Sequence, residues 1–412
     1  MRKSASYIVF LFCLYMFTFQ FALMQVNVFF QYWDEIYAII CIPLFLLKKE
    51  QNFKVKINIY TGITILLIVF SAIGLLGNII YQYQCTAGIF QDILLNLKFF
   101  MGILTTFLLF GSFHINCYCR KIRIHTRFII MVLFSLYLLD KIFGIFPVYE
   151  VRYGLKSEQL FFGHPTGLAS VAFFLLIMIM ILYEGKSSDK IFIIMAILLE
   201  ISTLRIKAIA VSILFVYIYF VIMIMKRKIG WLEILPGLIP VMIVGYDMFY
   251  SYFFSSIKME TARGALLYKS FDIARDCFPF GTGFGTYASA PSGVWYSPVY
   301  IEYGLNTVWG LEKDNSGFIC DSFWAMIIGQ NGYIGLAIYI IIIICLIIIV
   351  SKLFRININM YIVGISSLLY LLISSTSESA FVNPLSLPLS FTIGLALIEL
   401  CRLKNRGVVV HG

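Results

Sequence analysis

Long apolar segments recur along the whole chain, separated by shorter stretches that are rich in Lys and Arg. A helix needs about 20 apolar residues to cross the hydrocarbon core of a bilayer. The pattern predicts twelve such helices, at approximately 5–24, 30–47, 57–77, 93–111, 128–146, 165–183, 190–204, 208–225, 231–250, 333–350, 360–374 and 385–401. The predicted fold class is therefore an all-α polytopic membrane protein.

The polar segments divide the chain into three regions. Helices one to nine occupy 1–250, and helices ten to twelve with a short tail occupy 333–412. Between them, 251–332 is too long for a simple connection and is predicted to be a loop subdomain. The seventh and eighth helices, separated only by the four residues 204–207, are predicted to form a broken pair. No small-residue cleavage site follows the first apolar run, so we expect an anchor and not a removed signal peptide.

Composition and charge narrow the class of protein. The composition, with 61% hydrophobic and 13% charged residues, excludes a soluble enzyme, a disordered protein and a nucleic-acid-binding module. Of the 31 Lys and Arg residues, 20 fall in alternate loops, which predicts that those loops and both termini are cytoplasmic. Lys98 and Lys141 fall within spans, and nine basic residues lie on the predicted outer side: Arg152, Lys156, Arg205, Lys207, Lys258, Arg263, Lys269, Arg275 and Lys313. These nine are the informative part of the +10 net charge.

The first outer cations lie in loop 147–163, just before the sixth helix. Arg152 and Lys156 are either phospholipid headgroup anchors or contacts for an anionic substrate. His164 is the one histidine on the predicted outer side, and Pro165 suits the first helical turn that follows it. His164 is therefore either a helix cap or a catalytic base.

Further outer cations lie between helices and in the long loop. Arg205 and Lys207 lie between two apolar spans, where charged residues are functional unless they snorkel to the interface. Residues 260–278 predict an amphipathic helix whose apolar face combines Leu267, Phe271, Ala274 and Phe278. Arg263 and Arg275 flank that face. They lie either at phosphate depth on the outer leaflet or on a solvated surface.

Several other residues of the outer loops are candidates for chemistry or close packing. Asp321 and Glu378 are carboxylates at the predicted membrane surface, although Asp321 also suits a helix cap. The glycines of 281–285 predict a flexible turn, and those of 329–335 predict close backbone approach. Cys277 and Cys320 could form a disulfide in an oxidising compartment. We expect no metal site, because the predicted outer side offers a single histidine.

Outer-side cations beside a few acids suit one kind of reaction. A lipid-linked diphosphate sugar reaches the outer leaflet already activated, and guanidinium groups match its phosphate oxygens. The same cations would stabilise the diphosphate as it leaves, so the reaction mainly needs a base for the acceptor hydroxyl. Neither metal nor cofactor is required for this chemistry.

The order of these motifs resembles the Wzy-type O-antigen and capsular polysaccharide polymerases, together with the related O-antigen ligases. The matching pieces are R-x10-G from Arg152 followed by HPTG, ISTLRIKA, ARGALLYKSFDIARDCFPFGTGFG, D-x2-W-x4-G-x2-G-x2-G from Asp321, and SESAFVNP. Two departures stand out. The helix-pair motif often reads Ser-Arg and here reads Leu204-Arg205, and the ligases usually carry a His near the position of Asp321. The second departure favours a polymerase.

The resemblance implies a GT-C-like fold in a bacterial cytoplasmic membrane and a glycosyltransferase activity. The enzyme would transfer a growing glycan from undecaprenyl diphosphate onto a lipid-linked repeat unit. Its diphosphate contacts would be Arg152, Arg205, Lys207, Arg263 and Arg275, and its base would be His164, Asp321 or Glu378. Implied partners are the lipid-linked oligosaccharide, membrane lipid, a chain-length regulator and a flippase, but no nucleic acid.

Three other functions stay open at this point. A ligase would transfer the glycan to a lipid A core. A flippase or permease would move a lipid-linked oligosaccharide across the membrane, and a non-catalytic scaffold would leave the outer arginines dispensable.

Overall fold

The computed structural model describes residues 3–47, 58–253 and 259–405, and it is built almost entirely of helices. The predicted inner loop 48–57, the start of the long loop at 254–258 (with Lys258) and the tail 406–412 lie outside the described residues. The α-helices are α1 Lys3–Val26, α2 Trp33–Ile39, α3 Cys41–Leu47, α4 Asn58–Tyr81, α5 Thr86–Phe110, α6 Cys119–Phe143, α7 Pro165–Ile181, α8 Ser187–Ser202, α9 Ile206–Tyr219, α10 Trp231–Phe253, α11 Ala262–Asp276, α12 Ala290–Val294, α13 Val299–Glu302, α14 Phe323–Ser351, α15 Ile358–Ser374 and α16 Ser386–Asn405. Strands β1 Val151–Arg152 and β2 Leu155–Lys156 form one antiparallel hairpin.

The helices confirm an all-α membrane protein. Each of the twelve predicted apolar segments overlaps at least one helix. Within the described ranges, seven segments are long and apolar enough to cross a bilayer: Ala5–Val26, Val28–Leu46, Thr61–Tyr81, Thr86–Phe110, Cys119–Phe143, Ile206–Ile224 and Phe323–Arg355. Shorter apolar helices cover Pro165–Ile181, Glu233–Tyr246 and Ile358–Ser374. The count of twelve spans therefore remains a prediction.

Loops that were predicted to share a side of the membrane contact one another. On the predicted outer side, the Glu158 amide donates to the Ser202 carbonyl at 3.1 Å, which joins the loop before α7 to the end of α8. On the predicted inner side, the side-chain Nδ2 of Asn359 donates to the Tyr183 backbone carbonyl at 2.8 Å, which joins the start of α15 to the end of α7. These contacts agree with the predicted alternation of loops. Which end faces the cytoplasm stays a prediction.

Helix α7 forms the centre of the bundle. Almost all of its residues are buried, and its sequence is apolar on every side, which is the pattern of a helix enclosed by others. It packs against α1, α6, α8, α9, α15 and α16. Because α7 begins at Pro165, its position fixes the place of His164 at the predicted outer end of the bundle.

The glycine-rich segment 281–285 forms the predicted turn, but it is buried and hydrogen-bonded to neighbouring helices instead of being a flexible loop. It lies against α4 and α14: the Gly283 amide donates to the Gln330 carbonyl at 2.9 Å. The side-chain amide of Asn78 in α4 makes two hydrogen bonds to the backbone of Phe284. Its Nδ2 donates to the Phe284 carbonyl at 2.9 Å, and its Oδ1 accepts from the Phe284 amide at 2.8 Å. Gly283 has φ +95°, and a Cβ there would lie 2.4 Å from the Asn78 backbone nitrogen. Only glycine permits this approach.

The long loop is anchored by helices α11 and α14, which pack together. The buried face of α11 carries Leu266, Ser270, Ile273 and Ala274, whereas Phe271 and Phe278 of the predicted apolar face are exposed. Ala274 of the predicted face is thus buried as expected, whereas the exposure of Phe271 and Phe278 contradicts the prediction at those two positions.

Helix α14 begins at Phe323, and position 332, the predicted end of the loop region, is where the helix is broken. The helix is interrupted at Gly332, which has φ +64° and leaves no room for a Cβ beside the Pro279 carbonyl, 2.6 Å away. The predicted close approach at this glycine is confirmed. Cys277 and Cys320 are free thiols and form no disulfide.

We expect Asn78→Ala to destabilise the protein by about 1–3 kcal/mol, because it leaves two buried backbone groups of Phe284 without partners. The measurement is denaturant unfolding of the detergent-solubilised protein. Asn315→Ala at an exposed position is the control and should stay within about 0.5 kcal/mol of wild type. An Asn78→Ala protein as stable as this control would contradict the anchoring of the glycine-rich segment.

Candidate functional site

Loop 147–163 is held in place by ion pairs to α6. Lys156, which the sequence offered as an anion contact, instead pairs with Asp140 at 2.5 Å, and Lys141 pairs with Glu158 at 2.7 Å. The hairpin turns at Tyr153 and Gly154, whose φ values of +53° and +75° match a two-residue type I′ turn.

The same loop is fastened to the turn between α8 and α9. The Ser157 hydroxyl donates to the Thr203 carbonyl at 2.6 Å. Helix α8 ends at Ser202, Leu204 has φ +52°, and Arg205 is the N-cap of α9, so the predicted broken helix pair is confirmed. These contacts place Arg205 beside the hairpin that carries Arg152.

Two arginines converge on one carboxylate oxygen. The Oε1 atom of Glu150 lies 3.1 Å from Nε of Arg152 and 2.7 Å from Nη2 of Arg205. The Arg205 guanidinium also lies over the Tyr149 ring, 5.8 Å from its centroid. Both contacts are ion pairs without hydrogen-bond geometry, because Oε1 of Glu150 accepts no hydrogen bond, so two guanidinium groups lie close to one carboxylate oxygen.

His164 lies at the edge of this arginine pair and caps α7. Its Nδ1 accepts a hydrogen bond from the Thr166 amide at 3.1 Å, and its Nε2 lies 3.3 Å from Nη2 of Arg205. The Tyr149 ring packs edge-on against the imidazole, with centroids 4.7 Å apart. The sequence left cap and base open as alternatives, and the structure shows the cap.

The protonation of His164 argues against a basic role. Burial, together with the positive charges of Arg205, Lys207 and Arg152, lowers its pKa to about 4, and the charge of Glu150 opposes this only in part. The ring is therefore neutral near pH 7. The Thr166 amide and the Arg205 guanidinium are both donors, and a neutral imidazole accepts from only one of them. With Nδ1 accepting from Thr166, the proton resides on Nε2 and faces an Arg205 donor, so the two donors point into the same place without an acceptor between them.

Two further cations are paired with the candidate bases. Lys207 Nζ lies 2.6 Å from Oε1 of Glu378, and Arg263 Nη2 lies 2.9 Å from Oδ2 of Asp321. The segments that carry the two acids are joined, because the Ser379 amide and hydroxyl both donate to the Cys320 carbonyl, at 3.1 and 2.8 Å.

Asp321 has the electrostatic environment of a base. Burial raises its pKa above the usual value, and the charge of Glu378 adds to this, while Arg263 and Lys207 oppose it. The residue is not the cap of α14, since Ser322 occupies the N-cap position. A raised pKa brings a carboxylate closer to the pH at which it could accept a proton.

The two halves of the cluster are adjacent. Lys207 follows Arg205 by two residues, and its charge acts on both His164 and Asp321. The cluster holds seven of the eight predicted site residues: Arg152, His164, Arg205, Lys207, Arg263, Asp321 and Glu378. Arg275 lies apart, 69% exposed, and pairs with Asp272 and Asp276 of its own helix segment.

The charges of the cluster nearly balance. Four cations face the three carboxylates of Glu150, Asp321 and Glu378, and these seven side chains are between 15% and 27% exposed. Burial lowers the pKa of Arg205, and the charge of Arg152 adds to this shift. Among the described side chains of the cluster, four cations, three carboxylates and the neutral His164 give one net positive charge.

Sequence reasoning assigned no role to Glu150 or Tyr149. Glu150 lies two residues before Arg152 in PVYEVRYG and belongs to none of the motifs that the sequence analysis identified. Its pairing with Arg205 joins positions 55 residues apart, which no local pattern reveals.

Helices of membrane-spanning length and a half-buried charge cluster at their ends define an all-α membrane protein with a candidate anion site. Compared with protein-family models, with curated proteins and with solved structures, the chain has no match.

We expect the cluster to give the protein a specific pH dependence. Between pH 6.5 and about 4, unfolded His164 binds a proton that the folded protein does not, so the free energy of unfolding falls as the pH falls through this window. His164→Asn keeps a capping side chain and removes the titration. Unfolding curves from pH 7 to 4 should decline less steeply for His164→Asn than for wild type.

The control is His114→Asn, which changes an exposed histidine at the opposite end of the bundle. It should follow the wild-type curve. Parallel curves for wild type and His164→Asn would contradict the burial of a neutral imidazole.

Proposed function

We propose that this protein is a glycosyltransferase that polymerises lipid-linked oligosaccharides at the outer face of a bacterial cytoplasmic membrane. The observation that carries the proposal is the convergence of Arg152 and Arg205 on one carboxylate oxygen, beside Lys207 and Arg263. A diphosphate presents several such oxygens together. The cluster lies at the ends of apolar helices, where the diphosphate of a membrane-anchored lipid would also lie.

The proposed reaction joins two lipid-linked substrates. The acceptor hydroxyl oxygen attacks the anomeric carbon of the donor glycan and forms the new glycosidic bond. The bond from that carbon to the diphosphate breaks, and its electron pair leaves with undecaprenyl diphosphate. The proton of the acceptor hydroxyl passes to a carboxylate of the protein. The arginines and Lys207 supply the positive charge that stabilises the leaving group.

Among the three candidate bases, Asp321 is favoured. Burial raises the pKa of its carboxyl above the ordinary value and so strengthens it as a proton acceptor, whereas burial lowers the pKa of His164 and weakens the imidazole as one. Glu378 is the alternative base. It lies close to Asp321, because the neighbouring Ser379 donates two hydrogen bonds to the carbonyl of Cys320. In this scheme His164 donates from Nε2 to a phosphate oxygen and does not take the proton.

The acceptor distinguishes a polymerase from a ligase. The Asp at position 321, where the resembled ligases usually carry a His, favours a repeat unit over a lipid A core as the acceptor. Undecaprenyl-diphosphate-linked oligosaccharide, a chain-length regulator and a flippase are the proposed partners, and both termini are proposed to be cytoplasmic.

The test is chain growth by the purified protein supplied with lipid-linked repeat units, resolved as a gel ladder. We expect Arg152→Ala and Arg205→Ala to slow chain growth by about 10²–10³-fold, because each removes a contact to the leaving diphosphate. Arg275→Ala is the matched control. It removes an arginine from the same predicted face but outside the cluster, so the change should stay below about fivefold.

Two outcomes would contradict this assignment. Growth by Arg152→Ala and Arg205→Ala at the wild-type rate would remove the arginines from the reaction. A loss in Arg275→Ala equal to that in Arg205→Ala would show that the described cluster does not define the site.

A second experiment addresses the base. Asp321→Asn should reduce the rate of chain growth by about 10²–10⁴-fold, because the amide cannot accept the proton. Glu378→Gln should reduce it less. The reverse order would assign the base to Glu378, and a comparable loss only in His164→Asn would assign it to the histidine.

A lipid-linked oligosaccharide flippase or permease is the second candidate, and one observation favours it. Lys98 is 2% exposed and lies 2.5 Å from Asp34 and 3.6 Å from Glu35, which places a buried ion cluster among apolar helices. Such residues often mark a transport path. Labelled substrate crossing vesicles that contain the protein, without chain growth, would favour the carrier.

A further inference from the structure

We propose that Glu150 is a specificity-determining residue that occupies the anion site as an internal competitor and yields Arg152 and Arg205 only to a ligand with the charge and oxygen geometry of a diphosphate. This inference rests on the proposed diphosphate site. It goes further in assigning a role to an acid that neither touches the reacting bond nor accepts a proton.

The first argument is the geometry of the shared oxygen. A single atom, Oε1 of Glu150, contacts both guanidinium groups, at 3.1 Å to Arg152 and 2.7 Å to Arg205. The same position is where an oxygen of a bound phosphate would receive both arginines. The carboxylate and a phosphate therefore exclude each other from this place.

The second argument is how Glu150 is held. Its backbone carbonyl accepts a hydrogen bond from the Ser157 amide at 3.0 Å, which fixes the main chain next to β1. Both ion pairs that its carboxylate makes within the described residues are with the two arginines. The side chain is 27% exposed, so a rotation about its own bonds takes the carboxylate towards solvent while the hairpin stays in place.

The third argument is electrostatic. Arg205 is only 15% exposed, and an unpaired guanidinium at such a depth is unfavourable. Glu150 keeps both arginines paired when no ligand is bound. A ligand that carries one charge gains little by replacing it, whereas a diphosphate carries more charge and more acceptor oxygens. The competition therefore sets a charge threshold for binding.

The competition also acts after the reaction. The diphosphate that leaves the glycan is held by the same arginines, and the returning carboxylate competes with it. Removing the carboxylate should strengthen the binding of diphosphate and slow its release. This distinguishes a competitor from a residue that positions the arginines, whose removal would weaken binding.

The experiment measures the binding of inorganic pyrophosphate to the full-length protein in detergent by isothermal titration calorimetry. Glu150→Gln removes the charge at nearly constant shape. We expect it to bind pyrophosphate about two- to fivefold more tightly than wild type, the range that one partly exposed ion pair accounts for. Glu302→Gln is the matched control: it removes an exposed carboxylate outside the cluster, which accepts from the Tyr83 hydroxyl, and it should bind like wild type.

A second variant keeps the test decisive if Glu150→Gln does not fold. Glu150→Asp retains the charge but shortens the side chain, so that it reaches the arginines less well. It should also bind pyrophosphate more tightly than wild type. Thermal unfolding without ligand checks that each variant is folded.

The outcomes separate the two proposals. If Glu150→Gln binds as wild type does, or more weakly, while Arg205→Ala loses binding, the competitor role is overturned and the diphosphate site stands. If neither wild type nor Glu150→Gln binds pyrophosphate, the diphosphate site is overturned together with the competitor.

Discussion

The structure at the predicted outer end of the bundle depends on one constraint, which is that charged groups at the ends of apolar helices must be paired. A half-buried guanidinium or ammonium group loses much of its hydration and needs an anionic partner nearby. Here Arg205, Lys207 and Arg263 each find a carboxylate on a different segment of the chain. The same ion pairs that satisfy the charges therefore bring distant segments together.

This pairing explains how a site forms without a separate soluble domain. The hairpin before α7, the turn between α8 and α9, the start of α11 and the segments before α14 and α16 each contribute one or two side chains. Their backbones are joined by hydrogen bonds such as Ser379 to Cys320 and Glu158 to Ser202. A cluster built in this way is positioned by the bundle.

Sequence patterns predicted the members of the charge cluster more fully than they predicted the loop packing. Arg205 and Lys207 were recognisable because cations between two apolar spans are costly, and His164 because it was alone on its side. Arg275 and Arg263 were both predicted to flank the apolar face of the same amphipathic helix. Arg275, however, lies on another side of α11, where it forms an ion pair with Asp272 of that helix. The burial of the glycine-rich segment depends on Asn78, about 200 residues earlier, and periodicity within 281–285 cannot reveal such a partner.

The sequence by itself determined that this is a helical membrane protein, because membrane-spanning length and apolar composition are local properties of each segment. It also determined which cations lie among apolar spans. Only the tertiary structure decided which acid faces which cation, that Glu150 holds two arginines, and that His164 is a neutral cap. The physical reason is that a charge acts over a few ångströms in space, and the folded helices alone set which residues come within that distance.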